Sequence, residues 1–290
     1  MKKGQKRWYV IILTVILLFI IELVVSNEMI TVTENVIKSS QVPNSFDGFK
    51  ILQISDLHSK EFGKDNRRLL EVIDKVAPNL IVITGDMINS KETDFSVFYK
   101  LAVSLVNKYP VYYIVGNHEQ NLNEEALEEM LAYIDGLGVQ VLDNEKITIE
   151  KEGKSINFYG LWFHLRYYRD LSNENTKEYY FGTEQIKKIL GEAEEKDFNI
   201  LLTHNPVYFD TYSTWGADLT LSGHMHGGMV RLPFVGGLVS PEKELFPKYD
   251  GGLYKAGSNS MIVSRGLGSG KAGFRFFNKP ELVIITLKCI

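Results

Sequence analysis

The stretch FKILQISDLH, residues 49–58, places an aspartate and a histidine directly after a compact apolar run. The run is typical of a buried β-strand, so Asp56 and His58 lie where the backbone turns out of the sheet. In open α/β sheets, ligands gather at the carboxyl ends of the strands. This stretch therefore predicts a sheet-based fold with a polar site at one edge of the sheet.

Four further motifs repeat this pattern along the chain. Each places polar residues just after an apolar run, and the five motifs together hold five of the six histidines. The further motifs are TGDM with Asp86, GNHE with Asn117 and His118, LTHNP with His204, and SGHMHGG with His224 and His226. Scattered structural histidines would not be expected to cluster in this way. Oxygen and imidazole ligands gathered at several strand ends are what a two-metal hydrolytic centre requires.

The segments between the motifs alternate between strands and helices as far as about Val139. Strands are predicted at 49–54, 80–84 and 111–115, and helices at 66–76 and 97–106. This rhythm favours a largely parallel sheet with helices packed on it. Beyond Val139 strand-like runs dominate, with one helix expected at 183–195 and a long loop at 233–254. Two sheets pressed face to face, with helices outside, would absorb this number of strands in one α/β domain.

The amino-terminal segment differs in composition from the rest of the chain. Four basic residues precede an almost unbroken apolar run from Trp8 to Val25, in which Glu22 is the one charged residue. As a helix the run reaches roughly 27 Å, enough to cross the hydrocarbon core of a bilayer. Positive charge before the run predicts a cytoplasmic amino terminus and an extracytoplasmic domain at the cell membrane. A cleaved signal peptide is the alternative, although its apolar region is normally shorter.

Composition and charge argue against some other functions. The formal net charge is -4, whereas a broad nucleic-acid footprint usually needs a basic face, so no nucleic acid is expected as a partner. The single cysteine, Cys289, cannot form an internal disulfide, and the chain has no CxxC motif for zinc.

Taken together and in this order, the five motifs resemble the signature of the calcineurin-like metallophosphoesterase superfamily: D-x-H, G-D, G-N-H-[DE], H and G-H-x-H. The resemblance covers about residues 48–288. Within the superfamily, the SGHMHGG and SRGLG segments and the amino-terminal run look most like bacterial envelope phosphodiesterases of the YkuE and YaeI type. The resemblance implies a four-layer α/β/β/α sandwich of two mixed sheets, here preceded by one amino-terminal transmembrane helix. We divide the chain into a basic tail (1–7), a transmembrane anchor (8–25), a tether with a first strand (26–47) and the metallophosphoesterase domain (48–290).

The resemblance also implies two divalent metal ions and a role for each polar residue. One metal would be held by Asp56, His58 and His226, the other by Asn117, His204 and His224, with Asp86 bridging both and His118 facing the scissile phosphate as a non-ligand. The ligands do not identify the metal, because mixed nitrogen and oxygen sites accept manganese, iron, zinc or cobalt. Two cations bring more positive charge than two aspartates and a bridging hydroxide remove. The remaining charge attracts a phosphate oxygen, and the hydroxide attacks phosphorus in line.

Substrate specificity is expected from the loops around the metals. Arg166 and Arg169, in a tyrosine-rich insert, could hold a second phosphate, and a solvated surface loop is the alternative for this insert. An anchored enzyme facing outward would meet envelope phosphodiesters, so we predict a membrane-anchored phosphodiesterase acting on a cell-wall polymer or a lipid-linked substrate. A pyrophosphatase of nucleotide-diphospho-lipids or sugars and a non-catalytic metal-binding scaffold remain as alternatives.

Overall fold

Two six-stranded mixed sheets form the frame of the computed structural model, which describes residues 3–168, 179–228, 230–270 and 273–290. The first sheet contains, in spatial order, β1 (Thr31–Ser39), β14 (Glu281–Cys289), β2 (Lys50–Ile54), β3 (Leu80–Ile83), β4 (Val111–Tyr113) and β5 (Gln140–Val141). Strand β14 runs antiparallel to β2, whereas the other neighbouring pairs are parallel. The carboxyl ends of β2, β3 and β4 therefore meet at one edge of the sheet.

The second sheet has the same number of strands and a similar plan. It contains, in spatial order, β12 (Gly252–Ala256), β13 (Asn259–Val263), β9 (Leu219–Ser222), β8 (Phe198–Thr203), β7 (Lys154–Leu161) and β6 (Lys146–Lys151). The four central strands are parallel, and each edge strand pairs antiparallel with its neighbour. The carboxyl ends of β8 and β9 thus lie side by side. A separate hairpin pairs β10 (Arg231–Leu232) with β11 (Gly236–Gly237).

Helices cover the outer face of each sheet. The described helices are α1 (Lys3–Glu28), α2 (Arg67–Val76), α3 (Ser96–Val106), α4 (Asn117–Gln120), α5 (Glu124–Gly136), α6 (Thr183–Leu190) and α7 (Phe209–Trp215). Buried side chains of α2, α3 and α5 pack on the first sheet, and those of α6 and α7 pack on the second. A further apolar cluster fills the space between the two sheets. The predicted four-layer α/β/β/α class is confirmed.

Strand β2 shows why the central strands have continuous apolar sequences. Leu52 and Ile54 contact the helix-side core, whereas Ile51 belongs to the core between the sheets, because successive side chains point to opposite faces. Both faces of the strand are covered, so no polar alternation is needed. Gln53 is the polar exception, and its Nε2 donates to Thr84 Oγ1 at 3.0 Å and to Ser222 O at 2.8 Å. This side chain joins the strand ends of the two sheets.

Several elements differ from their predicted bounds. Helix α6 ends at Leu190 rather than at 195, because Gly191 adopts φ 77° and terminates it. The region 233–254, predicted as a loop, contains most of the β10–β11 hairpin and the start of β12. Helix α7 was not predicted from the sequence. The segment predicted as a tether includes β1, which pairs with β14 along its whole length, and the division of the chain into segments stays a prediction.

Helix α1 differs from the other helices in its exposure. The helical segment 4–28 is long and apolar enough to cross a membrane, and only 6% of its most apolar 18-residue stretch is buried in the protein. A signal sequence near the amino terminus would satisfy the same criteria. The last turns of the helix contact the rest of the protein, where Asn27 Nδ2 donates to Arg275 O at 2.9 Å.

Candidate metal centre

The facing edges of the two sheets bring the motif residues into two overlapping groups. The first group contains Asp56, His58, Asp86 and His226, and the second contains Asp86, His204 and His224. All six residues are buried, and within each group the potential ligand atoms lie within 4.8 Å of one another. Asp86 belongs to both groups. The structure thus brings six of the seven predicted ligands together, and their division between two metals stays a prediction.

The two aspartates are held in place by hydrogen bonds that leave oxygens directed into the centre. Asp56 is fully buried, and its Oδ2 accepts from Ser55 Oγ at 2.6 Å while Oδ1 accepts from the backbone N–H of His224 at 3.1 Å. Asp86 Oδ1 accepts from the backbone N–H of His118 at 2.8 Å. The other oxygen, Oδ2, faces the imidazole of His204.

Two histidines of the first group face each other. The Nε2 atoms of His58 and His226 are 3.2 Å apart, and His226 Nε2 lies 3.5 Å from Asp56 Oδ1. Burial is the main cause that lowers the pKa of His58 to about 3, and it also holds the pKa of His226 well below its ordinary value. Both rings are therefore neutral near pH 7. Neutral imidazole nitrogens are the form that binds a metal ion.

His204 lies in the second group with its ring orientation fixed by a backbone carbonyl. Its Nδ1 lies 2.6 Å from the carbonyl oxygen of Thr84 and donates its proton there, which turns Nε2 toward Asp86 Oδ2 at 3.2 Å. Burial by itself would lower the pKa of His204, but the nearby carboxylates, chiefly Asp86, raise it to about 10. Burial would likewise raise the pKa of Asp86, and the nearby histidines, chiefly His204, lower it well below its ordinary value. The space between Asp86 and His204 therefore strongly favours a positive charge, either a proton or a cation.

The donor set fits two divalent cations. Asn117 opens α4, and its buried Oδ1 has no hydrogen-bond partner among the described residues. An unsatisfied buried carbonyl oxygen costs about 1–3 kcal/mol, which coordination to a cation would offset. Carboxylate oxygens, neutral imidazoles and this amide oxygen form a mixed set suited to first-row divalent metals. The individual roles of these residues, including that of Asn117 as a ligand, stay predictions.

The backbone at the centre adopts conformations that few side chains tolerate. Five of the predicted ligands have positive φ angles between 49° and 70°: Asp56, His58, Asp86, His224 and His226. Such residues cost about 1–3 kcal/mol each and persist where the surrounding structure fixes them.

Glycines allow the motif loops to approach the aspartates closely. A Cβ atom at Gly116 would lie 2.3 Å from Asp86 Oδ1, and one at Gly223 would lie 2.4 Å from Asp56 Oδ2. Gly85 combines a φ of 89° with a position where a Cβ would lie 2.6 Å from Gly116. A side chain at Gly116 or Gly223 would displace these carboxylates, and one at Gly85 would displace the loop at Gly116.

Glu119, the last residue of the GNHE motif, has a structural function that the sequence analysis did not assign. Its Oε2 accepts from the backbone N–H groups of Asp86 and Gly116, both at 2.9 Å, and its Oε1 accepts from Met87 N at 2.6 Å. Burial, with the charge of Asp86 adding to it, raises the pKa of Glu119 to about 7. The side chain joins the loops that follow β3 and β4.

Three further residues contact the motif histidines without belonging to a motif. Glu242 is buried, and its Oε1 lies 3.3 Å from His224 Nε2. The ring of Tyr168 lies 5.0 Å from the ring of His224. Ser90 donates its backbone N–H to His118 Nδ1 at 3.1 Å. Glu242 lies in the region predicted as a long loop, where no periodicity distinguishes it from its neighbours.

Of the two arginines predicted to bind substrate, Arg166 contacts neighbouring tyrosines. The Arg166 guanidinium donates to Tyr167 Oη at 3.1 Å and lies over the rings of Tyr167 and Tyr179. In the described part of the chain, no recorded contact joins Arg166 to a predicted metal ligand. Arg169 lies outside the described residues. The substrate-binding role of both arginines stays a prediction.

Comparison with known proteins identifies a family and several individual proteins that this chain resembles. Residues 49–228 match the family described as calcineurin-like phosphoesterase. The metallophosphoesterase YkuE of Bacillus subtilis is 31% identical over 266 residues, covering 90% of this chain and 86% of the relative. The phosphodiesterase YaeI of Escherichia coli is 27% identical over 247 residues, covering 82% of each. A crystal structure of a dimetal phosphatase from Danio rerio superposes with a TM-score of 0.43 at 13% identity, covering 76% of this chain and 88% of the other.

The family match covers more than half of the chain, and its span contains every predicted metal ligand. It also agrees with the geometry, because the family uses two divalent metals and the two groups share one aspartate. The predicted enzyme class is therefore confirmed. The chain belongs to the calcineurin-like phosphoesterase family and is a metal-dependent hydrolase of phosphoester bonds.

Proposed function

We propose that this protein is a membrane-anchored phosphodiesterase that acts on a phosphodiester of the cell envelope. The observation that carries the proposal is the sharing of Asp86 by two buried groups of ligands, with His118 bonded to that aspartate through its backbone N–H. Two divalent metals, when bound, supply a Lewis acid for the phosphoryl oxygen and acidify a water molecule that serves as the nucleophile. The remaining steps depend on side chains of the chain itself.

In this proposal, His118 donates a hydrogen bond to the phosphate. Because the backbone N–H of Ser90 donates to Nδ1, that nitrogen carries a lone pair and the proton of the neutral ring is on Nε2. Protonation of Nδ1 would break this hydrogen bond. The geometry therefore supports a neutral His118 that stabilises a phosphoryl oxygen, rather than an imidazolium that protonates the leaving group.

Two cavities beside the centre support a diester as the substrate. One, of about 550 Å³, is lined by His118 together with Asn89, Ser90, Lys91 and Asn121. The other, of about 520 Å³, extends from His58 past Lys60 to the end of α1, and Asn89 lines both cavities. The rings of His58 and His118 are 4.5 Å apart. A phosphodiester has a substituent on each side of phosphorus, and each cavity offers room and a lysine for one of them.

Metal-dependent hydrolysis tests the enzymatic part of the proposal. The full chain in detergent, stripped of metal with a chelator, is supplied in turn with manganese, iron, zinc or cobalt. We expect restored cleavage of bis(4-nitrophenyl) phosphate that exceeds cleavage of 4-nitrophenyl phosphate. Two metals bound per chain without hydrolysis of either ester would contradict the proposal.

Cell fractionation tests the anchor. We expect the protein in the membrane fraction with α1 retained, shown by the intact mass, and we expect protease added outside the cell envelope to digest the catalytic domain. A shortened, soluble protein would show that α1 is a signal sequence, and it would leave the hydrolytic part of the proposal unaffected.

A further inference from the structure

The last turns of α1 are fixed to the catalytic domain by polar contacts. Glu22 Oε1 accepts from the backbone N–H of Phe277 at 3.0 Å, and Ser26 Oγ accepts from the backbone N–H of Asn278 at 3.2 Å. Asn27 exchanges two hydrogen bonds with the backbone of Arg275, at 2.9 and 3.0 Å. The Phe19 and Phe276 rings also pack together, with centroids 5.3 Å apart. The helix therefore meets residues 275–278 over its last three turns rather than at its final residue.

The length of the apolar run determines how deep this contact lies in a membrane. From Trp8 to Ile21 the helix covers roughly 14 positions and about 21 Å, which is too short for a hydrocarbon core of about 30 Å. A span that begins at Trp8 must therefore use the turns up to about Val25, which include Glu22. Phe276 and Phe277 contact those turns, so they lie at the depth of the outer boundary of the bilayer.

An apolar hairpin lies next to these phenylalanines. The backbone N–H of Arg231 donates to Phe276 O at 3.0 Å, which joins the start of the β10–β11 hairpin to the same segment. A cavity of about 520 Å³ lies between the hairpin tip and Phe277. At the tip, Phe234 is fully exposed and Val235 is 60% exposed, and Leu232 and Phe277 are each more than 40% exposed. Exposed aromatic and aliphatic side chains adjoining a membrane helix are typical of an interfacial contact.

We propose that the hairpin tip, residues 232–235, together with Phe274 and Phe277, inserts into the outer headgroup layer of the bilayer that α1 spans. We call these residues the interfacial patch. This inference rests on the anchor in the proposed function and adds a second, monotopic membrane contact. Its partner is the lipid bilayer itself.

The interfacial patch determines the orientation of the metal centre. The cavity that starts at His58 ends at Leu23 and Asn27 of α1 and at Phe274 of the patch. With the patch in the headgroup layer, this cavity opens at the membrane surface. The phosphoester of a membrane-resident lipid would then reach the centre without leaving the bilayer.

Depth-dependent quenching tests the insertion directly. The full chain carries Cys289→Ser and one new cysteine, Phe234→Cys or Phe277→Cys, labelled with an environment-sensitive fluorophore. It is reconstituted into vesicles of phosphatidylcholine with a minority of phosphatidylglycerol. Lipids with a nitroxide near the glycerol end of the acyl chain should reduce the fluorescence at both sites by about half or more, since interfacial segments lie about 5–10 Å below the surface. The same label at Tyr133→Cys, an exposed aromatic position on α5, should be unaffected.

Two results would overturn the inference. A label at position 234 that aqueous iodide quenches as strongly as the label at position 133 would place the hairpin in water. A label shielded from iodide but unaffected by the nitroxide lipids would show that a protein surface, such as a second copy of this chain, covers the patch. Because fluorescence is read without substrate, a failure of metal-dependent hydrolysis would not change either reading. Matching thermal unfolding of each labelled protein and its parent, measured without substrate, shows that the fold is intact.

Discussion

The metal centre and the interfacial patch are built in opposite ways. The centre consists of buried polar side chains on short loops after central strands. Hydrogen bonds fix its aspartates, and the surrounding structure holds most of its residues in left-handed backbone conformations. The patch consists of exposed apolar side chains on a hairpin and a segment near the carboxyl terminus. A buried charged centre requires a rigid frame, because each misplaced donor costs desolvation energy. A surface that enters lipid needs only apolar area at the right depth.

The largest effect is expected from Asp86→Asn, which tests whether the centre depends on one shared carboxylate. The substitution removes a negative charge from both ligand groups, so we expect kcat/KM to fall by about 10³-fold or more, equivalent to roughly 4 kcal/mol. Metal analysis after dialysis should show reduced occupancy. Asp65→Asn is a matched control, because Asp65 also has a left-handed φ, 51° against 54°, but is exposed. Two tightly bound metals with unchanged activity in Asp86→Asn would refute the shared role.

His118→Gln separates the ligands from the residue that faces the substrate. A hydrogen-bond donor to the phosphate contributes to catalysis without holding metal, so we expect kcat to fall by about 10²- to 10³-fold with metal content unchanged. His164→Gln is the control, since His164 is exposed and its Nδ1 accepts only a local backbone N–H, that of Arg166, among the described contacts. Loss of metal from His118→Gln would make His118 a ligand, and full activity would remove its assigned role.

Glu242→Gln tests whether the rigid frame of the centre extends into the loop that carries the hairpin. A carboxylate beside a ligating histidine orients the ring and raises its basicity, and its loss typically costs about 10-fold in metal affinity. Competition with a fluorescent chelator measures the change. Glu244→Gln, two residues along the same loop, should leave the affinity unchanged. If Glu242→Gln and Glu244→Gln bind metal with the same affinity, Glu242 only packs against His224.

The paired substitution Phe234→Ser with Val235→Ser should change activity only where a membrane is present. Removal of the apolar tip weakens the interfacial contact, so we expect hydrolysis of a chromogenic phosphatidyl diester in vesicles to fall by about fivefold. Hydrolysis of bis(4-nitrophenyl) phosphate should be unchanged, because no patch residue is a predicted metal ligand. Tyr133→Ser provides an exposed aromatic control on α5. Equal losses on both substrates would mean that the hairpin supports the centre rather than the membrane contact.

The sequence predicts these two regions unequally. Each motif follows an apolar strand, so parallel pairing of β2, β3 and β4 was enough to predict that Asp56, Asp86 and His118 would lie together. The patch could not be predicted in this way. Phe19 and Phe276 are far apart along the chain, and their contact arises only when α1 packs on the loop before β14. The 233–254 region has no periodicity, because short hairpin strands rich in glycine leave no regular apolar pattern.

The smallest effect is expected at a half-buried carboxylate, Asp218, that belongs to neither region. Asp218 Oδ2 accepts from the backbone N–H of Asn199 at 2.8 Å, and burial raises the pKa of Asp218 to about 6. At pH 7 the group is ionised in the folded and unfolded states, and burial makes the folded state less stable. As pH falls from about 6 to about 4, the folded state takes up the proton first and gains stability.

Asp218→Asn keeps the acceptor for Asn199 and removes the buried charge. The pKa shift corresponds to about 3 kcal/mol for a fully buried group, and partial exposure reduces the expected gain at pH 7 to about 1 kcal/mol. Urea unfolding should show this gain at pH 7 and almost none at pH 4. A variant less stable than the parent at pH 7 would mean that the carboxylate is stabilised by its surroundings. Asp218 would then resemble Asp86 of the metal centre, whose charge is stabilised by nearby histidines.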